Sequence, residues 1–129
     1  MSLLDAVERL RAGLDYHLQR HNVLVSNLAQ ADTPNYKPVD LERAGFEGQL
    51  DLAMTATDAS HFGTPPGAEP AGKIIADPTA ATGPDGNGVD LDREAVKIAT
   101  NQIRYDMLAQ LASSELSSLE WAATDGRNG

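Results

Sequence analysis

The sequence predicts a mainly α protein, with two long terminal helices pairing as an antiparallel coiled coil around an irregular or partly β, Gly/Pro-rich central segment. Three observations predict it. Near the N-terminus Leu3, Val7, Leu10, Leu14, His17, His21, Leu24, Leu28 and Ala31 alternate steps of four and three. Near the C-terminus Leu91, Ala95, Ile98, Gln102, Tyr105, Ala109, Ala112, Leu116, Leu119 and Ala123 do the same. Such a period lines residues along one side of a helix, ready to pack into a second helix. Between the two runs, residues 62–89 hold five of the seven prolines and six of the eleven glycines, which is turn chemistry. The chain divides accordingly into residues 1–36, a flexible central segment at 37–89, and residues 90–129.

The first helix is expected over residues 2–31. Ser2 can cap it, and Asp5 and Glu8 complement the positive end of its dipole. At about 1.5 Å per residue it would be roughly 45 Å long. Leu4, Leu18 and Val25 add a second row at seven-residue spacing, interrupted by Arg11. Pro34 ends the helix, because it disfavours helical geometry at Thr33 and has no amide hydrogen. Thr33-Pro34-Asn35-Tyr36 then reads as a tight turn, with Asn35 able to take a positive φ.

In the central segment Val39, Leu41, Phe46, Leu50, Leu52 and Met54 could supply short strands or an irregular wrap, and Ile74-Ile75 a further short strand. Pro65-Pro66-Gly67, Gly83-Pro84 and Asp85-Gly86-Asn87-Gly88 read as turns and linkers. The second helix opens at Asp90 or Asp92, with Glu94 in its first turn, and runs to about residue 122. Val96, Ala99 and Ile103 form a second row beside its main one.

Composition limits what the chain can do. Aromatic residues are 5%, and the hydrophobic 41% is rich in Ala, so an isolated monomer should be marginally folded. The formal charge of −9 is unevenly spread: residues 1–36 set three basic against four acidic side chains, residues 37–89 three against eight, and residues 90–129 four against seven. No segment offers a basic footprint for nucleic acid, and an anionic lipid surface would repel the chain. Cysteine is absent, which removes disulfides, thiolate metal sites and thiol catalysis. No secretory signal and no run of about 18 apolar residues is visible.

Candidate chemistry is sparse. His17 and His21 stand one turn apart, a spacing that can bind metal, but no third ligand is placed beside them, and His61 falls in a distant irregular region. Packed interface histidines are the better reading. Residues 85–90 resemble a calcium loop but depart from it at Val89, Asp90 and Val96. There is no phosphate loop or nucleophile elbow, so neither an enzyme nor a cofactor is expected. Asn22, Ser26, Asn27 and Gln30 are read as a polar rear face of the first helix, either solvated or hydrogen-bonded across an assembly.

The segment NVLVSNLAQADTPNYK at 22–37 resembles the N-terminal signature of flagellar rod, hook and hook-associated proteins. Its matching positions are Asn22, Asn27, Ala29, Ala31, Thr33, Pro34, Asn35 and Tyr36; Gln30 stands where the family usually has a second Asn. Residues 85–94, with Asn101, Tyr105 and the stretch 52–61, are similar to a rod member of that family. The resemblance implies a structural subunit of the flagellar basal-body rod, exported unfolded by the type III apparatus into the periplasmic rod. It implies polymerisation through the terminal helices as a rod-core domain, with partners in itself, other rod proteins and membrane-ring or rod-adaptor proteins. Phe46-Glu47-Gly48-Gln49-Leu50 resembles the Phe-x-x-x-aliphatic motif of export substrates, which makes Phe46 and Leu50 candidate export residues. The competing expectations are another axial protein of the family, or a small helical secretion chaperone or adaptor.

Overall fold

The computed structural model describes residues 3–43 and 72–125. Phe46 and Leu50, with His61 and the other candidates between 44 and 71, lie outside the described residues. The element order is α1 (Leu3–Ala29), β1 (Val39–Arg43), β2 (Gly72–Ala76) and α2 (Leu91–Asp125). The chain is therefore mainly helical, with two long helices flanking a short strand-containing centre.

The helices pair antiparallel. Gly13 lies against Leu108, His17 meets Asn101, and Asn27 meets Glu94, so advancing along α1 means retreating along α2. Glycine at position 13 sets the approach: a methyl there would come within 3.0 Å of Leu108 Cδ1. Asp90 caps α2 as expected, its Oδ1 accepting from the amides of Asp92 (3.0 Å) and Arg93 (3.1 Å).

The end of α1 departs from expectation by two residues. Gln30 and Ala31 donate to the carbonyls of Asn27 (3.0 Å) and Leu28 (3.2 Å), which tightens the last turn. Residues 33–36 then close a turn through Tyr36 N to Thr33 O at 3.3 Å, with Asn35 at φ 61°. The carbonyls of the turns just past α1 also meet a donor from the loop before α2. Asn87, 6% exposed, donates from Nδ2 to the carbonyls of Gln30 (2.9 Å), Ala31 (2.8 Å) and Thr33 (2.8 Å). The two loops are also joined by Asn35 N to Asp85 O and Gly88 N to Tyr36 O. Residues 83–88, read as a linker, thus hold the turns that follow α1 from a distance of more than fifty residues. Gly86 makes the fit possible, since it holds φ 76° and a Cβ on it would stand 2.1 Å from Asn35 Oδ1.

β1 and β2 pair antiparallel, with Leu41 opposite Ile74 and Val39 opposite Ala76. This pair rests on α1 through Leu41, 5% exposed, whose carbonyl accepts the Tyr16 hydroxyl at 2.8 Å. Burial raises the pKa of that phenol.

Candidate assembly interface

The surface between the helices sets buried polar groups among its apolar ones, where a coiled coil is apolar throughout. Among the described residues the buried hydrophobic side chains are Tyr16, Leu24 and Leu41, whereas the buried polar ones are His17, Asn27, Asp77, Asn87, Glu94 and Asn101. Burying polar groups is tolerated only if each finds a partner. Here they do. His17 Nδ1 lies 2.7 Å from Asn101 Oδ1, and Asn101 Nδ2 donates to the His17 carbonyl at 2.7 Å. Because the amide oxygen can only accept, the imidazole carries its proton on Nδ1.

Asn27, with zero exposure, uses its whole hydrogen-bonding capacity. Nδ2 donates to Val39 O (2.7 Å) and Glu94 Oε2 (3.3 Å), while Oδ1 accepts from Val39 N (3.0 Å) and Tyr36 OH (3.1 Å). One amide therefore ties α1 to β1, to α2 and to the turn that follows α1. The expected polar rear face is corrected at this position. Asn22 and Ser26 are exposed, but Asn27 points inward, because four partners converge on it there.

A charge cluster extends from the same point. Arg20 donates to both oxygens of Asp40, at 2.9 and 3.0 Å. That hydrogen bond raises the pKa of the guanidinium. Lys97 binds Asp77 directly and lies 3.7 Å from Glu94 and 4.0 Å from Asp40. Burial alone would raise the Asp77 carboxyl, but hydrogen bonds from Lys97 and from the Thr79 hydroxyl and amide outweigh it and lower its pKa. Arg93 donates to the Thr79 carbonyl, so α2 is tied at a further point to the segment after β2.

The polar interface turns α2 away from its expected orientation. Ile98, Tyr105, Ala112 and Leu119 are half-buried, but the residues between them on this face are Glu94, Asn101, Leu108 and Glu115, not Ala95, Gln102 and Leu116. Leu91 (55% exposed) and Leu116 (53%), expected inside, face outward. On α1, Val7, Leu10 and Leu14 are half-buried and Leu24 is fully buried, whereas Leu28 is 38% exposed; Ala31, just past the helix, is half-buried. A polarity pattern alone ranks Ala and Leu above Asn and Glu for the inside, and so it misses pairs that satisfy one another. The signal that could have found them is the seven-residue step from Glu94 to Asn101 to Leu108, in phase with Ile98 and Tyr105.

The large apolar side chains meanwhile lie outside: Leu4, Leu18 and Val25 on α1, and Val96, Ile103, Met107, Leu111 and Trp121 on α2. Burying each against a neighbour would contribute about 1.5–3 kcal/mol. Among the described residues no group of three or more candidate metal ligands forms, and no helix is long and apolar enough to cross a membrane.

Buried polar contacts within the helix pair and large apolar rows outside it define a two-helix protein with uncovered apolar surface. Comparison with known proteins makes this specific. The chain is 33% identical over 130 residues to flagellar basal body rod protein FlgB of Escherichia coli (strain K12), covering 90% of this chain and 91% of the relative. It is 29% identical over 133 residues to FlgB of Bacillus subtilis (strain 168), covering 98% and 100%, and 29% identical over 119 residues to FlgB of Aquifex aeolicus (strain VF5), covering 92% and 93%. No family model matches the chain. The chain belongs to the FlgB family of flagellar basal body rod proteins, structural components of that rod.

Replacing Asn27 by Ala should lower the stability of the isolated chain by about 2–4 kcal/mol, since Glu94 and the Val39 backbone lose their partners. Asn22→Ala, at an exposed position, should change it by about 0.5 kcal/mol or less. Urea unfolding followed by far-ultraviolet circular dichroism measures both. A second expectation concerns acid. Because the Asp77 pKa is lowered from its ordinary 3.8, the unfolded chain takes up the proton first as pH falls. The stabilisation is complete above that ordinary value and is lost as pH falls through the lower native one. Thermal midpoints between pH 3 and pH 7 should therefore fall less steeply on acidification for Asp77→Asn than for the parent chain.

Proposed function

We propose that this chain is a non-enzymatic subunit of the flagellar rod, exported unfolded by the flagellar type III apparatus and polymerising through its terminal helices to join the membrane ring to the rest of the rod. In this reading residues 1–36 and 90–129 form the rod-core domain, and residues 37–89 connect them. Its partners are further copies of itself, other rod proteins, and membrane-ring or rod-adaptor proteins.

The observation that carries the reading is the set of large apolar side chains left exposed on the outer sides of the helix pair. Three buried apolar side chains among the described residues give one chain little hydrophobic stabilisation, whereas the exposed rows offer a neighbour a great deal. A subunit of this kind loses little on unfolding for passage through a channel and gains most of its buried area at assembly. Family membership supports the same reading.

Leu28→Asp and Leu116→Asp test it. Both positions are exposed in the chain, so the variants should fold and be exported as the parent is. A charge buried at a subunit contact should nonetheless block rod assembly. Basal bodies would lack complete rods and cells would not swim; normal motility in both would refute the assembly role of these positions. Phe46→Ala tests export separately: periplasmic accumulation should drop several-fold at unchanged synthesis, and unchanged accumulation would remove Phe46 and Leu50 from the export signal.

A further inference from the structure

Two apolar pairs and one polar break of the outward rows fall at common levels, whereas Leu4 falls level with Ser117. Within the chain Asn27 faces Glu94 and Gly13 faces Leu108, which fixes the level of every residue of α1 against α2. Continued at seven-residue steps, that same register sets Val25 level with Val96, Leu18 with Ile103, and Arg11 with Gln110. The four apolar members are 41–65% exposed and lie on the sides turned away from the intrachain contact. Because α1 and α2 of one chain already face each other elsewhere, these rows cannot meet within a chain. They can meet between two.

We infer that the outer row of α1 in one copy packs antiparallel on the outer row of α2 in the next copy, at the same axial level, so that copies stand side by side. The inference rests on the rod reading and adds to it which face meets which, and in what register. The pattern of polar breaks favours this pairing over two-fold contacts centred on Leu18 or on Ile103. Here the break at Arg11 falls opposite the break at Gln110, with the Asp106 carboxylate one turn away. A two-fold contact of α1 with α1 centred on Leu18 would set Arg11 against Val25, and one of α2 with α2 centred on Ile103 would set Gln110 against Val96. Each buries a polar group against an apolar one. Charges beside the rows agree, since exposed Asp15 and Arg104 come within about one turn of the same level. A contact between two different patches repeats from copy to copy and builds a ring or a helical array, where a two-fold contact stops at a dimer.

Because the chain has no cysteine, thiol crosslinking tests the inference directly. Cells lacking their own copy would express one full-length chain carrying Leu18→Cys together with one carrying Ile103→Cys. Purified basal bodies would be treated with a short bis-maleimide. A covalent dimer is expected from that mixture and from Val25→Cys with Val96→Cys, and a ladder of multimers from one chain carrying both Leu18→Cys and Ile103→Cys. Dimers from a Leu18→Cys or Ile103→Cys chain alone would overturn the pairing, as would the absence of adduct from both mixtures in basal bodies that contain the chains. Immunoblotting of the untreated basal bodies separates the two levels. Absence of the parent chain there removes the rod reading and this one with it, whereas presence without adduct removes only the pairing.

Discussion

One buried amide holds the described structure together. Asn27 makes hydrogen bonds to β1, α2 and the turn after α1, and among the described residues no other side chain joins so many elements. Its demand for four partners fixes where α1 must stop, since Tyr36 can return to it only if the chain reverses at Thr33-Pro34-Asn35. The same demand fixes the register of α2, since Glu94 must arrive at the amide. Glu94 in turn sits beside Lys97, which binds Asp77 after β2. The hairpin, the helix pair and the two loops are therefore parts of one satisfied polar network, in which each unpaired member would be costly.

A network of that kind gives specificity without much net stability. Each hydrogen bond is exchanged against water on unfolding and contributes about 0.5–1.5 kcal/mol. An apolar seam of the same length would hold the helices more strongly but in several registers, because hydrophobic contact is not directional. Directional partners such as His17 with Asn101 remove that freedom. The consequence is a helix pair with one register and with many of its large apolar residues exposed in the chain. The arrangement suits the proposed role of a subunit that gains buried area at assembly.

Much of the architecture was legible in residue pattern. The two helical periods, the stop before Pro34 and the cap at Asp90 each arise from interactions within a few residues of the position concerned. The Asn35 turn was legible for the same reason. The strand at Ile74-Ile75 was legible from its apolar pair, although it forms only against residues 39–43. The interior was not. Leu28, Leu91 and Leu116 looked internal because apolarity was taken as the measure of burial, yet they are exposed. Asn87 looked like part of a linker because its partners, the carbonyls just past α1, are more than fifty residues away.

By itself, then, the sequence determined which segments are helical, where they begin and end to within a few residues, and, through residues 22–36 and 85–94, the likeness to flagellar rod proteins. Local propensity and capping suffice for the first two, and residue identity for the third. Only the tertiary structure decided which side of each helix faces inward. That choice depends on whether a distant Asn, Glu or His finds its partner, and a buried polar group is acceptable only when it does.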